Sequence, residues 1–200
     1  ARSQWLLQLP LTAVRGLLSC NRTLTGSEAT IFYTAVMWAE RNGASRAERR
    51  ALGECVRLPH VPSTYLDTVI GGGARMLLEI DPWDVSCALT YIAAEDKVKE
   101  RMERVVEPLR LPRRPASSVR KVVLEWRVPL ERLRSLHKAA TRGAFRSQPM
   151  PYSDYQVLHG VEWGLCLAGC KAAGGATVGV YVFAYCPPGC QGGVATASAT

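Results

Sequence analysis

The chain has seven cysteines and three histidines, residue types that can ligate metal or act as nucleophile and base. Cys166 and Cys170, then Cys186 and Cys190, form two C-x3-C pairs, and four thiolates so arranged could hold zinc tetrahedrally. Zinc knuckles more commonly separate each pair by two residues, and Cys166 lies in the apolar alternation Trp163, Leu165, Leu167, where cysteine behaves as a small hydrophobe. The expectation is therefore ordinary cysteines and no cofactor, with a zinc site at Cys166, Cys170, Cys186 and Cys190 as the alternative. His60, His137 and His159 belong to no nucleophile elbow, His-Glu-x-x-His or dinucleotide fingerprint, and no cysteine–histidine pair is singled out. Asp81, Asp84, Glu95 and Asp96 are accounted for by helix caps and helix surface, so the residues argue against an enzyme. Tyr152 and Tyr155 flank a turn with Pro149, Pro151 and Ser153. They read either as packing between the β region and the helices or as exposed aromatics that capture a peptide beside a sheet.

The elements that would position these residues change character along the chain. Pro10 suits a first helical position, and Leu11, Val14, Leu17 and Leu18 then share a helical face. Thr25 and Glu28 have capping-box spacing before the apolar stripe Ile31, Phe32, Ala35, Val36, Trp38, Ala39, which Asn42-Gly43 stops. Ser45 and Glu48 repeat that spacing ahead of Ala51, Leu52, Cys55 and Val56. Pro59 and Pro62 end this helix, and Ser63 is placed to cap another through Tyr65, Leu66, Val69 and Ile70. Helices this short must bury their stripes against one another. Gly71-Gly72-Gly73 reads as a flexible connector, since neither a preceding strand nor a following Lys-Ser/Thr makes it a phosphate loop. Asp81 caps, and Pro82 starts, a long helix whose period runs to Val106, with Glu95–Lys99 and Glu100–Arg104 as pairs on a solvated face.

Pro108, Pro112 and Pro115 punctuate a basic stretch over 107–118 that reads as a linker. Beyond it the apolar period becomes alternating. Val119, Val122 to Leu124, Trp126 and Val128 predict a strand ending at Pro129. Leu130 to Leu136 fits a short helix or an irregular strand equally. Tyr155 to Leu167 predicts strands broken near Gly160, and Thr177 to Tyr185 predicts a strand after a Gly174-Gly175 turn. Trp38, Trp126 and Trp163 lie in these periodic segments and read as core. The tail 191–200 is of low complexity and predicted to be disordered.

Composition narrows the partners. The net charge is +8, but the cations are scattered: Arg46, Arg49 and Arg50 on one helix, Arg110, Arg113 and Arg114 in the linker, Arg132 and Arg134 later. No basic and aromatic residues interleave as base stacking requires, which argues against nucleic acid. The cluster from Arg110 to Arg114 reads as solvated linker, or alternatively as a nuclear-import signal. No apolar run reaches the ~18 residues of a membrane span. No signal-peptide pattern opens the chain, and an odd cysteine count at irregular spacing is not a secreted disulfide framework. An intracellular protein, in nucleus or cytoplasm, is expected, and the sequon Asn21-Arg22-Thr23 then carries no sugar.

From Leu9 to Ile70, the register of Ser27-Glu28, Phe32, Ala35-Val36, Trp38-Ala39-Glu40 and Val56-Arg57-Leu58-Pro59 resembles the BACK domain, the helical module that follows BTB domains in cullin ubiquitin-ligase adaptors. Further on, Val122-Val123-Leu124-Glu125-Trp126, Tyr152-Ser153-Asp154-Tyr155, Leu158 to Trp163 and Val178 to Val182 resemble, more loosely, the MATH (TRAF-like) region of plant and algal BTB–BACK proteins. The resemblance implies a non-catalytic interaction scaffold, with a protein substrate held by the β region and a cullin reached through a BTB region upstream of Ala1. The chain then reads as a fragment of a longer protein. The expected fold is α+β: an antiparallel α-helical bundle over 1–106, the 107–118 linker, a partial antiparallel β-sandwich-like region over 119–190, and the tail. The alternative is a small zinc-binding or nucleic-acid-binding module using the four late cysteines and the basic linker.

Overall fold

The computed structural model describes residues 5–116, 124, 126–142, 153–154, 156–158, 160–172 and 175–185. Among these the chain divides into two compact units, the first within Ala1–Arg120 and Leu158–Val161, the second within Lys121–Val157 and Glu162–Tyr185.

The first unit is a helical bundle: α1 (Leu11–Ser19), α2 (Glu28–Arg41), α3 (Arg46–Gly53), a short α4 (Ser63–Tyr65), α5 (Pro82–Ala93) and α6 (Asp96–Val105). Helix α2 is apolar around most of its circumference, and it sits at the centre for that reason. Ala29, Ile31, Phe32, Tyr33, Ala35, Val36, Trp38 and Ala39 are all buried. Around it close Val14 and Leu18 of α1, Leu52 of α3, and Leu66, Ile70 and Leu78 of the following turns. The indole of Trp38 donates to the Leu9 carbonyl at 2.9 Å, so even its polar edge is satisfied.

The caps show which local signals held. Ser45 and Glu48 close a complete capping box, with Ser45 N–H donating to Glu48 Oε2 at 2.8 Å. Asp81 accepts from Trp83 N–H with Pro82 at the first helical position. Asn42 ends α2 and Gly43 takes φ +59°, a left-handed turn that costs glycine little. Elsewhere the local reading was displaced. The cap of α2 is Ser27, which accepts from Ala29 N–H at 3.2 Å, because Glu28 is drawn inward by a distant arginine. Pro10 is the cap of α1 rather than its first residue, and Leu17 lies half in solvent. Ser63 is the first residue of α4, whose cap is Pro62, and α3 ends at Gly53, before either proline.

Gly71 to Gly73 do not form a loose connector. A π-helical turn over Leu66–Gly71 leads into a 3-10 turn over Ala74–Leu78, and Ala74 and Leu78 are fully buried. Arg49 anchors this turn by donating to the Leu77 carbonyl at 3.0 Å. The long helix expected from Asp81 is two helices, broken at Ala94 and Glu95 in extended backbone. The break places Asp96 in the first turn of α6, where a carboxylate meets the positive end of the helix dipole. Lys99 pairs with Asp96 at 3.9 Å.

The second unit contains α7 (Leu130–Thr141) and most of a three-stranded sheet, β1 (Gln156–Leu158), β2 (Val161–Ala172) and β3 (Gly175–Tyr185), in the order β1-β2-β3. Residues 130–136, undecided from sequence, are helical. β2 and β3 pair antiparallel over their full length, Glu162 opposite Tyr185 through Ala172 opposite Gly175. This register puts Leu165, Leu167, Val180 and Val182 on one face, and Cys166 and Phe183 on the other. Gly164 lies opposite Phe183, whose ring fills the space a Cβ would take. Helix α7 packs against β3 and buries Leu136, Ala139 and Ala140. The expected sandwich is therefore not what the described residues form: one sheet is present, and a helix lies against it. Of the strand predicted over 119–128, residues 124 and 126–128 carry no strand, and the remainder lies outside the described residues. Trp38 is core as expected, whereas Trp126 and Trp163 are half-buried.

Candidate protein-interaction site

The most polar place in the interior of the first unit is built from three chain segments. Glu28 begins α2, Arg57 follows α3, and Arg114 arrives from the proline-punctuated stretch; all three are at most 4% exposed. The Arg114 guanidinium grips both carboxylate oxygens of Glu28 through Nη1. Its Nη2 donates to the carbonyls of Leu18 and Cys55, and its Nε to that of Cys20. Glu28 Oε2 also accepts from the Arg57 backbone N–H at 3.3 Å. The Arg57 side chain donates to the carbonyls of Ser19 and Pro112 and to the side-chain oxygen of Asn21. Burial, followed by the neighbouring Arg114 charge, lowers the Arg57 pKa, and the Glu28 charge opposes that shift. Among the described residues no buried side-chain nitrogen or oxygen lacks a partner, so the cluster is satisfied.

This chemistry is structural rather than catalytic. The Arg114 and Arg57 guanidinium groups donate to main-chain carbonyls, to the Asn21 side-chain oxygen and to Glu28, and all three charged side chains are buried. Its effect is to fasten residues 107–116 onto the bundle. Along that strap Leu109 is buried, the Leu111 carbonyl lies 2.8 Å from His60 Nε2, and Thr25 N–H donates to the Pro115 carbonyl at 3.3 Å. Arg114, read from sequence as solvated linker, is the centre of the cluster. The sequence does hold the residues, but nothing local marks Glu28 and Arg114 as partners across 86 positions. Beside the strap a cleft of about 540 Å³ is lined by Thr25, Ser27, His60, Ser63 and Arg113.

The second unit carries a different surface. Between α7 and the sheet lies a groove of about 470 Å³ floored by Leu133, Leu167, Val178 and Val180. Its rim is formed by Arg134, His137 and Lys138. Leu167 is covered, whereas Val180 is 61% exposed, so helix α7 leaves part of the apolar face open.

Of the residues proposed for zinc, Cys166 is buried in β2, and desolvation raises its thiol pKa. The side chain of Cys170, and Cys186 and Cys190 altogether, lie outside the described residues, as do Tyr152, Tyr155 and His159. Between the two tyrosines Ser153 is buried and bonds β2 twice: its N–H donates to the Leu165 carbonyl and its Oγ accepts from Leu165 N–H, both at 2.8 Å. Among the described residues no cluster of three or more metal-ligating side chains occurs, and no helix is long and apolar enough to cross a membrane.

Residues 1–71 match the family model of the BACK domain, described as BTB And C-terminal Kelch. Neither a curated protein nor a solved structure matches the chain. The matched span covers α1 to α4 and their turns, including Glu28 and Arg57 of the buried cluster. BACK domains are typical of BTB-type adaptors of cullin ubiquitin ligases, which are non-catalytic and work by holding other proteins.

Proposed function

We propose that the chain is a non-catalytic interaction scaffold from a BTB-type substrate adaptor of a cullin ubiquitin ligase, working in the nucleus or cytoplasm. The match of residues 1–71 to the BACK model carries this reading. A cullin would be engaged by a BTB region preceding these residues in the polypeptide, and a protein substrate by the β region. The MATH-like resemblance of that region supports the second role. Mechanistically the chain contributes proximity: the bundle is a rigid part, pinned by the Glu28–Arg114 pair, while the bond-forming chemistry belongs to the recruited ubiquitin-carrying enzyme. The test is mass spectrometry of the endogenous protein purified with an antibody against this segment. BTB-derived peptides with co-purifying cullin are expected. A polypeptide without either would overturn the reading and bring the zinc alternative forward.

A further inference from the structure

We infer that the groove between α7 and the sheet docks an acidic peptide segment of the protein substrate, carboxylates on the rim and an aliphatic side chain on the floor. The inference rests on the scaffold reading above and names the partner chemistry of its β region. The floor is an unfinished hydrophobic surface. The register sets Val180 directly across from Leu167 on the same face, yet Leu167 is 2% exposed and Val180 61%. An aliphatic side chain laid on Leu133, Val178 and Val180 would complete the burial that α7 begins.

The rim fixes the charge of the occupant. Arg134, His137 and Lys138 stand at positions i, i+3 and i+4 of α7 and therefore share one helical side. Like charges four residues apart cost an isolated helix stability, and among the described residues neither Arg134 nor Lys138 has a salt-bridge partner. A bound carboxylate chain would remove that repulsion and supply the missing counter-charge. Nucleic acid fits less well, because the floor is aliphatic and offers no aromatic ring on which a base could stack.

The test uses the full chain and a fluorescein-labelled peptide, Glu-Asp-Leu-Glu-Val-Asp-Ile-Glu-Glu, followed by fluorescence anisotropy. Two control peptides replace its acidic residues with lysine or its aliphatic residues with serine. The parent peptide is expected to bind at least about tenfold more tightly than either control, and to weaken with added salt. Arg134→Glu with Lys138→Glu should weaken the parent peptide about tenfold and restore binding of the lysine peptide. Both positions are exposed, and an unchanged circular dichroism spectrum establishes that the variant is folded. Control peptides binding within about threefold of the parent, a charge-reversed variant that behaves as wild type, or displacement of the peptide by a single-stranded oligonucleotide would each overturn the inference. Cullin recovery from cells is measured in parallel. Cullin co-purifying with the endogenous protein while no peptide binds refutes the groove alone, whereas endogenous protein recovered without cullin refutes the scaffold reading.

Discussion

Replacing Arg114 by methionine tests whether one long-range ion pair holds the bundle in register. Methionine keeps the apolar stem but strands the Glu28 carboxylate, 3% exposed, without its counter-charge, and takes donors from the carbonyls of Leu18 and Cys55. Breaking one side of a buried pair costs about 3–5 kcal/mol, far more than the pair is worth against an apolar replacement of both partners. For a unit of this size each kcal/mol corresponds to about 3–4 °C, so the melting temperature of the bundle should fall by about 9–20 °C. The urea midpoint should drop with it at nearly unchanged slope. Arg113→Met, one residue away and exposed, should change stability by no more than about 0.5 kcal/mol. Adding Glu28→Gln to Arg114→Met removes the stranded charge while keeping an acceptor for the Arg57 N–H, so the double variant should be more stable than Arg114→Met alone. Trypsin should also cut faster after Arg110 and Arg113 in Arg114→Met, because the strap loses its main fastening. An Arg114→Met variant no less stable than Arg113→Met, or a double variant no better than the single, would mean that the Glu28–Arg114 pair does not hold the bundle.

Gly160 stands at φ +77°, and a Cβ there would lie 2.4 Å from the Ala29 carbonyl oxygen; Gly160→Ala should therefore cost about 2 kcal/mol or more in chemical denaturation. Among the described cysteines, Cys20 is exposed and its thiol pKa is lowered chiefly by the Arg22 backbone N–H, so iodoacetamide followed by peptide mapping should label it first. Cys55, Cys87 and Cys166, whose pKa values burial raises, should react only on unfolding. The hydrogen bonds from the Ser45 N–H and then its hydroxyl hold the Glu48 pKa below the ordinary glutamate value. A depressed carboxylate contributes stability that is fully present above its unfolded pKa and is lost as pH falls through the folded one. The stability gap between wild type and Glu48→Gln should therefore be largest near neutrality and shrink toward about pH 3, measured as paired melting temperatures.

What the sequence determined by itself was local. The caps at Ser45 and Asp81, the glycine stop after Asn42, the apolar wrap of α2 and the two-residue period of β2 and β3 all depend on neighbours a few positions apart, and all were legible. The rest came from contacts between residues far apart in the chain. Glu28 has the spacing of a cap, but a buried carboxylate gains more from a guanidinium than from one backbone donor, so Arg114 overrode the local choice. The charged stretch after Glu107 resembles a linker in composition because its stabilising partners are carbonyls of distant residues, which no composition records. The described residues show one sheet and no sandwich, and alternation alone reveals that a strand has an apolar face, not whether a second sheet or a helix covers it. Here α7 lies against β3, and what it leaves open is the groove.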